Sequence, residues 1–146
     1  MVSTRSIQFI DDPEYDELAK LLEDRVYEFN QDATGLCDGA WISGKITNDD
    51  GEVIAGFNGH TRGGCCQIDN LWVHESLRGQ GIGSQLINAA EAEAIKRSCD
   101  LLTLSTHNFQ APDFYRARGY VQAGVVEGRP RGHRQFTFAK RLGGGG

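Results

Sequence analysis

Leu71-Trp72-Val73-His74-Glu75-Ser76-Leu77-Arg78-Gly79-Gln80-Gly81-Ile82-Gly83-Ser84 is the stretch whose reading decides the fold. It opens as the end of a strand, because residues 67–73 are rich in apolar, β-branched and aromatic types with short polar interruptions. Arg78 to Gly83 then reads as a glycine-rich loop. Ile82, Leu86, Ala90 and Ala94, four residues apart, predict a long helix that ends near Ser98-Cys99. A glycine turn feeding a helix leaves backbone N–H groups unpaired at the positive end of the helix dipole. Glycines let a ligand approach that backbone without a Cβ in the way. Such a place holds phosphate or pyrophosphate, and Arg78 adds a charge-assisted contact.

A dinucleotide fingerprint needs G-x-G-x-x-G tight against the strand end. Here the spacing is Gly79-x-Gly81-x-Gly83, and His74 to Arg78 intervene. A Walker loop needs Lys after its glycines, and none follows. A glycine turn without any ligand is the bland alternative.

Arg78-x-x-Gly81-x-Gly83, after a strand ending Leu71-Trp72-Val73, resembles the acyl-CoA signature of the GNAT superfamily of N-acetyltransferases. A second block, Asn108-x-x-Ala111-x-x-Phe114-Tyr115-x-x-x-Gly119-Tyr120, resembles the family's later motif in order, spacing and distance from the first. The resemblance is specific from Leu71 to Tyr120. It implies an α/β (α+β) fold, a single GNAT domain over residues 1–142 with a central mixed, mostly antiparallel sheet flanked by helices. It also implies an acetyl-CoA cosubstrate. By the same resemblance, the backbone at Leu71 and Val73 pairs with the acetyl and pantetheine amides, which is strand addition performed by a cofactor. Arg78, Gly79, Gln80, Gly81, Gly83 and Ser84 hold its pyrophosphate, and Asn108 bonds the pantetheine arm. Tyr115 stands where many members place a proton donor for the leaving thiolate.

The general base is open. The histone-acetylating branch has Glu where this chain has Gln67, and an amide cannot take a proton. Asp69, two residues on, acts directly or through water; His107 is a second candidate. The alternative roles are a buried carboxylate that orders backbone and an exposed or structural His.

With 146 residues, 39% apolar and 24% charged, the chain suits one domain of ordinary composition. No pattern resembles a signal peptide or an apolar span of membrane length, so no membrane partner and a cytoplasmic location are expected. The net charge of −5, from 20 acidic and 15 basic residues, argues against a nucleic-acid partner. Cys37, Cys65, Cys66 and Cys99 form no C-x-x-C pair, so reduced cysteines and no metal are expected.

Thr4 to Ile10 reads as an opening strand. Asp12 reads as an N-cap with Pro13 at the first helical position, followed by the apolar stripe Leu18, Leu22, Val26 and Phe29. Residues 30–39 lack periodicity and read as a loop; in the family this early helix and loop line the acceptor cleft. Strands are expected at 40–47 and 52–60, joined by Asn48-Asp49-Asp50-Gly51, with a turn at 61–64. The mixed polarity of both faces around Asp69 suggests burial on two sides with a polar insertion. A short strand at 101–105, a helix at 111–118 capped by Gly119, and a closing hairpin at 120–126 and 134–140 complete the domain. Arg129, Arg131 and Arg134 between the hairpin strands read as a solvated loop or an anion-recognising rim. The tail 143–146 reads as flexible glycine.

The function expected is transfer of an acetyl group to a primary amine by direct attack in a ternary complex. The acceptor is a small molecule or a peptide or protein amine. A non-catalytic acyl-CoA-sensing module is the alternative, favoured by Gln67, and a homodimer is left open.

Overall fold

The computed structural model describes residues 5–143. They form two compact units, one up to Cys37 and one from Asp38.

The first unit is a helix, α1, Asp12–Thr34. Its N-cap is Asp11, in extended backbone, rather than the expected Asp12. Pro13 is tolerated because first-turn N–H groups have no partner inside the helix in any case. The helix also runs through residues 30–34, which lack apolar periodicity and read as loop. It stops where Gly35 takes φ 73° and its N–H donates to Gln31 O at 2.7 Å. That conformation is nearly free only for glycine. The expected opening strand is not found: residues 5–10 carry no regular structure, and Thr4 lies outside the described residues. A strand exists through its ladder, and this unit offers only a helix. Of the expected glycine tail, all but Gly143 lies outside the described residues.

The second unit runs β1 (Ala40–Thr47), β2 (Val53–Arg62), β3 (Cys65–Val73), α2 (Ile82–Lys96), β4 (Leu101–His107), α3 (Pro112–Arg116), β5 (Val121–Glu127) and β6 (Arg134–Arg141). The sheet order is β1-β2-β3-β4-β6-β5. Every neighbouring pair is antiparallel except β3–β4, which α2 joins as a crossover. The expected α+β class with a mixed, mostly antiparallel sheet is therefore what the chain adopts. The β1–β2 turn is held by Asn48, whose Oδ1 accepts from Asp50 and Glu52 N–H, with Gly51 at φ 83°. α3 is shorter than expected and its cap is Ala117; Gly119 follows at φ 87°.

α2 buries Leu86, Ile87, Ala90 and Ala94 on one sheet face, among Ile42, Ala55, Cys66, Ile68 and Leu102. Each large aliphatic side chain buried there contributes about 1.5–3 kcal/mol, and the two alanines let the helix sit close. Glu91 ties α2 to the far strands. Its Oε2 accepts from Tyr120 Oη at 3.0 Å and its Oε1 from Lys140 Nζ at 2.7 Å.

β3 explains the irregular polarity around Asp69. The β2–β3 register slips between Asn58 and Gly59, so Asp69 is an extra residue on β3. Before the bulge the buried residues are Cys66 and Ile68; after it Leu71 and Val73, partly buried, pack against the core. The expected two-sided burial is thus a change of phase, in which one inserted residue flips the side chains that follow. Gly59 is what lets β2 lie against the bulge. A Cβ there would stand 1.9 Å from Gln67 O.

Candidate active site

The parallel ladder between β3 and β4 covers only Cys65–Ile68 against Leu101–Leu104. Beyond Ile68 and Leu104 the two strands part. His74 N–H donates to Ile54 O at 2.8 Å, so the antiparallel alternation turns Trp72 and Asn70 toward β2 as well. Leu71 and Val73 consequently direct their N–H and C=O away from β2, toward the opening. A cleft of about 890 Å³ lies there.

The opposite wall of the cleft is the start of α2. Gly79 and Gly81 have φ of 80° and 79°, and a Cβ on either would meet nothing within 4 Å. Gln85 N–H makes the helical bond to Gly81 O at 3.0 Å. The N-cap is Gly81, which brings no side chain to the N–H groups of Ile82, Gly83 and Ser84, so they are left for a ligand. Arg78 donates from Nε to Val73 O at 3.3 Å, which bridges loop and strand. Gly83 has a different reason: a Cβ would stand 3.3 Å from the Phe114 ring, so its absence lets α2 meet α3. Arg118, not singled out in the sequence, lies over Phe114 with its guanidinium 3.9 Å from the ring and lines the cleft as a second cation.

Tyr115 lines the same cleft and is 8% exposed. Its ring packs edge-on against Phe114 and Tyr120. The hydroxyl makes no hydrogen bond within the described residues, and no buried side-chain oxygen or nitrogen lacks a partner, so this hydroxyl opens onto the cleft. Burial pushes the phenol above its ordinary value and keeps it a donor at neutral pH.

Asp69 also lines the cleft. Its Oδ1 accepts from Gln67 Nε2 at 2.9 Å, and its Oδ2 lies 3.9 Å from His60 Nδ1. Sequence reading missed His60. Counting back from the Gly63-Gly64 turn would have found it, because Arg62 faces Cys65 and His60 therefore faces Gln67. Ser105, Thr106, Phe109 and Gln110, also on the cleft, had no local signal in the sequence.

Three expected residues are not brought to the cleft. Asn108 accepts at Oδ1 from Arg134 N–H (2.7 Å) and donates its own N–H to Arg134 O (3.0 Å), so it fastens the start of β6. Gln80 turns its side chain to Ser76 O. His107 pairs with Gln110 Oε1 at 2.9 Å and stacks on Phe109. For Gln80 and His107 a local turn offers the side chain a nearby partner, whereas Asn108 is taken by a distant one on the hairpin. Among the described residues no cysteine is disulfide-bonded, and burial pushes the Cys66 thiol up to about 11. That thiol is no nucleophile at neutral pH. No group of three metal-binding side chains occurs among the described residues.

Comparison with known proteins assigns the chain that carries this cleft to a family. The chain matches the acetyltransferase (GNAT) family over residues 5–120 and belongs to it. It is 35% identical over 110 residues to an acetyltransferase of Agrobacterium fabrum, covering 75% of this chain and 80% of that one. It is 38% identical over 93 residues to the blasticidin-S acetyltransferase of Streptomyces morookaense, covering 63% and 68%. The crystal structure of an acetyltransferase from Bacillus cereus aligns with a TM-score of 0.77 at 34% identity, covering 94% of this chain and 98% of that one. The chain is accordingly an N-acetyltransferase. No helix among the described residues is long and apolar enough to cross a membrane.

Proposed function

We propose that the protein moves the acetyl group of acetyl-CoA onto a primary amine by direct attack, with both substrates bound together. The observation that carries this reading is the fork between β3 and β4, with Leu71 and Val73 directing backbone groups into it and Tyr115 and Asp69 lining it. The residues fit the cosubstrate. The first-turn N–H groups from Gly81 to Ser84, with the backbone of Gly79 and Gln80, suit a pyrophosphate, and Arg78 and Arg118 add charge. Leu71 and Val73 suit the amides of the pantetheine arm.

Bound acetyl-CoA supplies an activated thioester. Asp69 takes the proton that the amine loses as its nitrogen bonds to the acetyl carbon. The carbon–sulfur bond breaks, and the Tyr115 hydroxyl donates to the departing sulfur. Gln67 holds Asp69 in place through its amide. No cysteine lines the cleft, which supports direct transfer. The acceptors to try first are small amines, and blasticidin S is one because a relative is named for it.

The second reading, an acyl-CoA sensor without turnover, is favoured by Gln67 at the position where the histone-acetylating branch has Glu. The experiment is an acetyl-CoA thiol-release assay over a panel of amines including blasticidin S. Amine-dependent release supports transfer. Tight acetyl-CoA binding with no release for any amine sinks it and leaves the sensor.

A further inference from the structure

A second, smaller hollow opens on the other side of the fork. It holds about 170 Å³ and is lined by Gln67, Ile68, Asp69, Thr103, Leu104, Ser105 and Thr137. Asp69 and Ser105 line both this hollow and the large cleft, so the two meet where the sheet splits. Its polar groups come from three strands. Thr103 and Ser105 are two residues apart on β4, with Leu102, Leu104 and Thr106 buried on the opposite side. Thr137 faces Ser105 across the β4–β6 ladder, with hydroxyl oxygens 3.5 Å apart. Gln67 stands beside Thr103 in the β3–β4 register.

The chemistry of this lining is one-sided. Asp69 only accepts. Gln67 gives one N–H of its Nε2 to Asp69 and keeps the other N–H and its Oε1. The three hydroxyls can both donate and accept. No cationic side chain lines the hollow. The volume equals about five or six waters at roughly 30 Å³ each, enough for an amino group and a few attached atoms but not a ring system.

We propose that this hollow is the acceptor subsite, and that it selects primary amines carrying a hydroxyl or similar polar group within one or two carbons of the nitrogen. The inference rests on the acetyl-transfer reading above and names its substrate class. The ammonium is attracted by Asp69; it gives one proton to solvent to become the neutral nucleophile, and Asp69 takes the second as the nitrogen bonds to the acetyl carbon. The neighbouring polar group of the substrate is read by Thr103, Ser105 and Thr137. Ser105 and Thr137 are exposed, so water pairs their hydroxyls when the substrate has none, and the preference comes from direct hydrogen bonds that replace those to water.

The test uses matched amines. Ethanolamine is compared with propylamine, and 2-amino-1,3-propanediol with 3-aminopentane, by kcat/KM in the parent and in Thr137→Val and Thr103→Val. Both substitutions keep a β-branched residue in a strand. The expected result is a preference of about two- to tenfold for the hydroxylated member of each pair, which shrinks in at least one variant while the KM for acetyl-CoA stays put. A parent that prefers the apolar member, or a preference unchanged in both variants, overturns the subsite. A second readout does not need turnover. Titrating 2-amino-1,3-propanediol should shift the backbone amide resonances of Thr103, Ser105 and Thr137, and no shift at millimolar amine overturns the subsite. Failure of the parent reading looks different: no thiol release with any amine, whatever its polarity.

Discussion

Gln67 and Asp69 are joined by a 2.9 Å hydrogen bond from Nε2 to Oδ1, although they are two residues apart on one strand. A regular strand sets such side chains about 6.4–6.8 Å apart along its axis, at about 3.2–3.4 Å per residue. The bulge at Asp69 re-aims its carboxylate, and the amide of Gln67 steadies it. The residue that cannot be a base thus holds the one that can.

Asp69→Asn should lower kcat about a hundredfold and leave acetyl-CoA affinity nearly unchanged, because the base is lost and the phosphate loop is not. Steady-state kinetics beside calorimetry with acetyl-CoA checks both. Gln67→Glu should move the acidic limb of the rate profile to higher pH. Two carboxylates at hydrogen-bond distance disfavour double ionisation, so one of them stays protonated further up the scale. An acidic limb that moves the other way would show that Asp69 does not carry the proton.

Tyr115→Phe keeps the ring among Phe114, Tyr120 and Phe138 and removes only the hydroxyl. The fold should survive, and turnover should fall roughly tenfold to a thousandfold. The loss should shrink with an acyl donor whose leaving thiol is more acidic. Because burial raises this phenol, the parent should show no alkaline decline from Tyr115 below its ordinary value of about 10. Parental rates in the variant would make Tyr115 a packing residue.

Gly81→Asp places a side chain at φ 79° and a negative charge where an anion is expected to sit. Calorimetry should show acetyl-CoA binding to the parent and a loss of tenfold or more in the variant. Gly81→Ala is the control, since the space around a Cβ there is open and only the backbone is strained. If Asp weakens binding no more than Ala does, charge at the loop is not the cause.

Gly59→Ala should be the most damaging single methyl in the sheet. The new Cβ would meet Gln67 O at 1.9 Å, and the obstacle is backbone rather than a movable side chain. A loss on the order of 3 kcal/mol is expected by urea unfolding, at the upper end of overpacking. Gly124→Ala, where a Cβ meets nothing within 4 Å, serves as the comparison on β5.

The glycine loop, the crossover helix and the second motif were legible because each is a local pattern whose physics is local: positive φ at Gly79 and Gly81, a four-residue apolar repeat, a short helix after Pro112. What was not legible depends on pairing. His60 reaches Asp69 only through the β2–β3 ladder, and Thr137 meets Ser105 only through β4 and β6. The phase flip at Asp69 looked like two-sided burial, because in one strand an inserted residue and a change of environment give the same polarity pattern. Asn108 shows the same dependence: its motif position was recognisable, but that its Oδ1 accepts from Arg134 N–H, 26 residues along the chain, was not.

The fork also changes the count of sheet borders. Besides the outer borders at β1 and β5, the sheet has two inner ones, β3 after Ile68 and β4 after Leu104. Open borders invite foreign strands and so aggregation. These two face each other across a gap that closes at Ile68 and Leu104, so a visiting chain can enter from one end only and cannot run past. On the proposed function the inner borders take a slender, amide-bearing thread, and a protein strand that carries side chains on both faces has no way through. On that reading the same interruption that makes room for a cosubstrate also guards against misassembly.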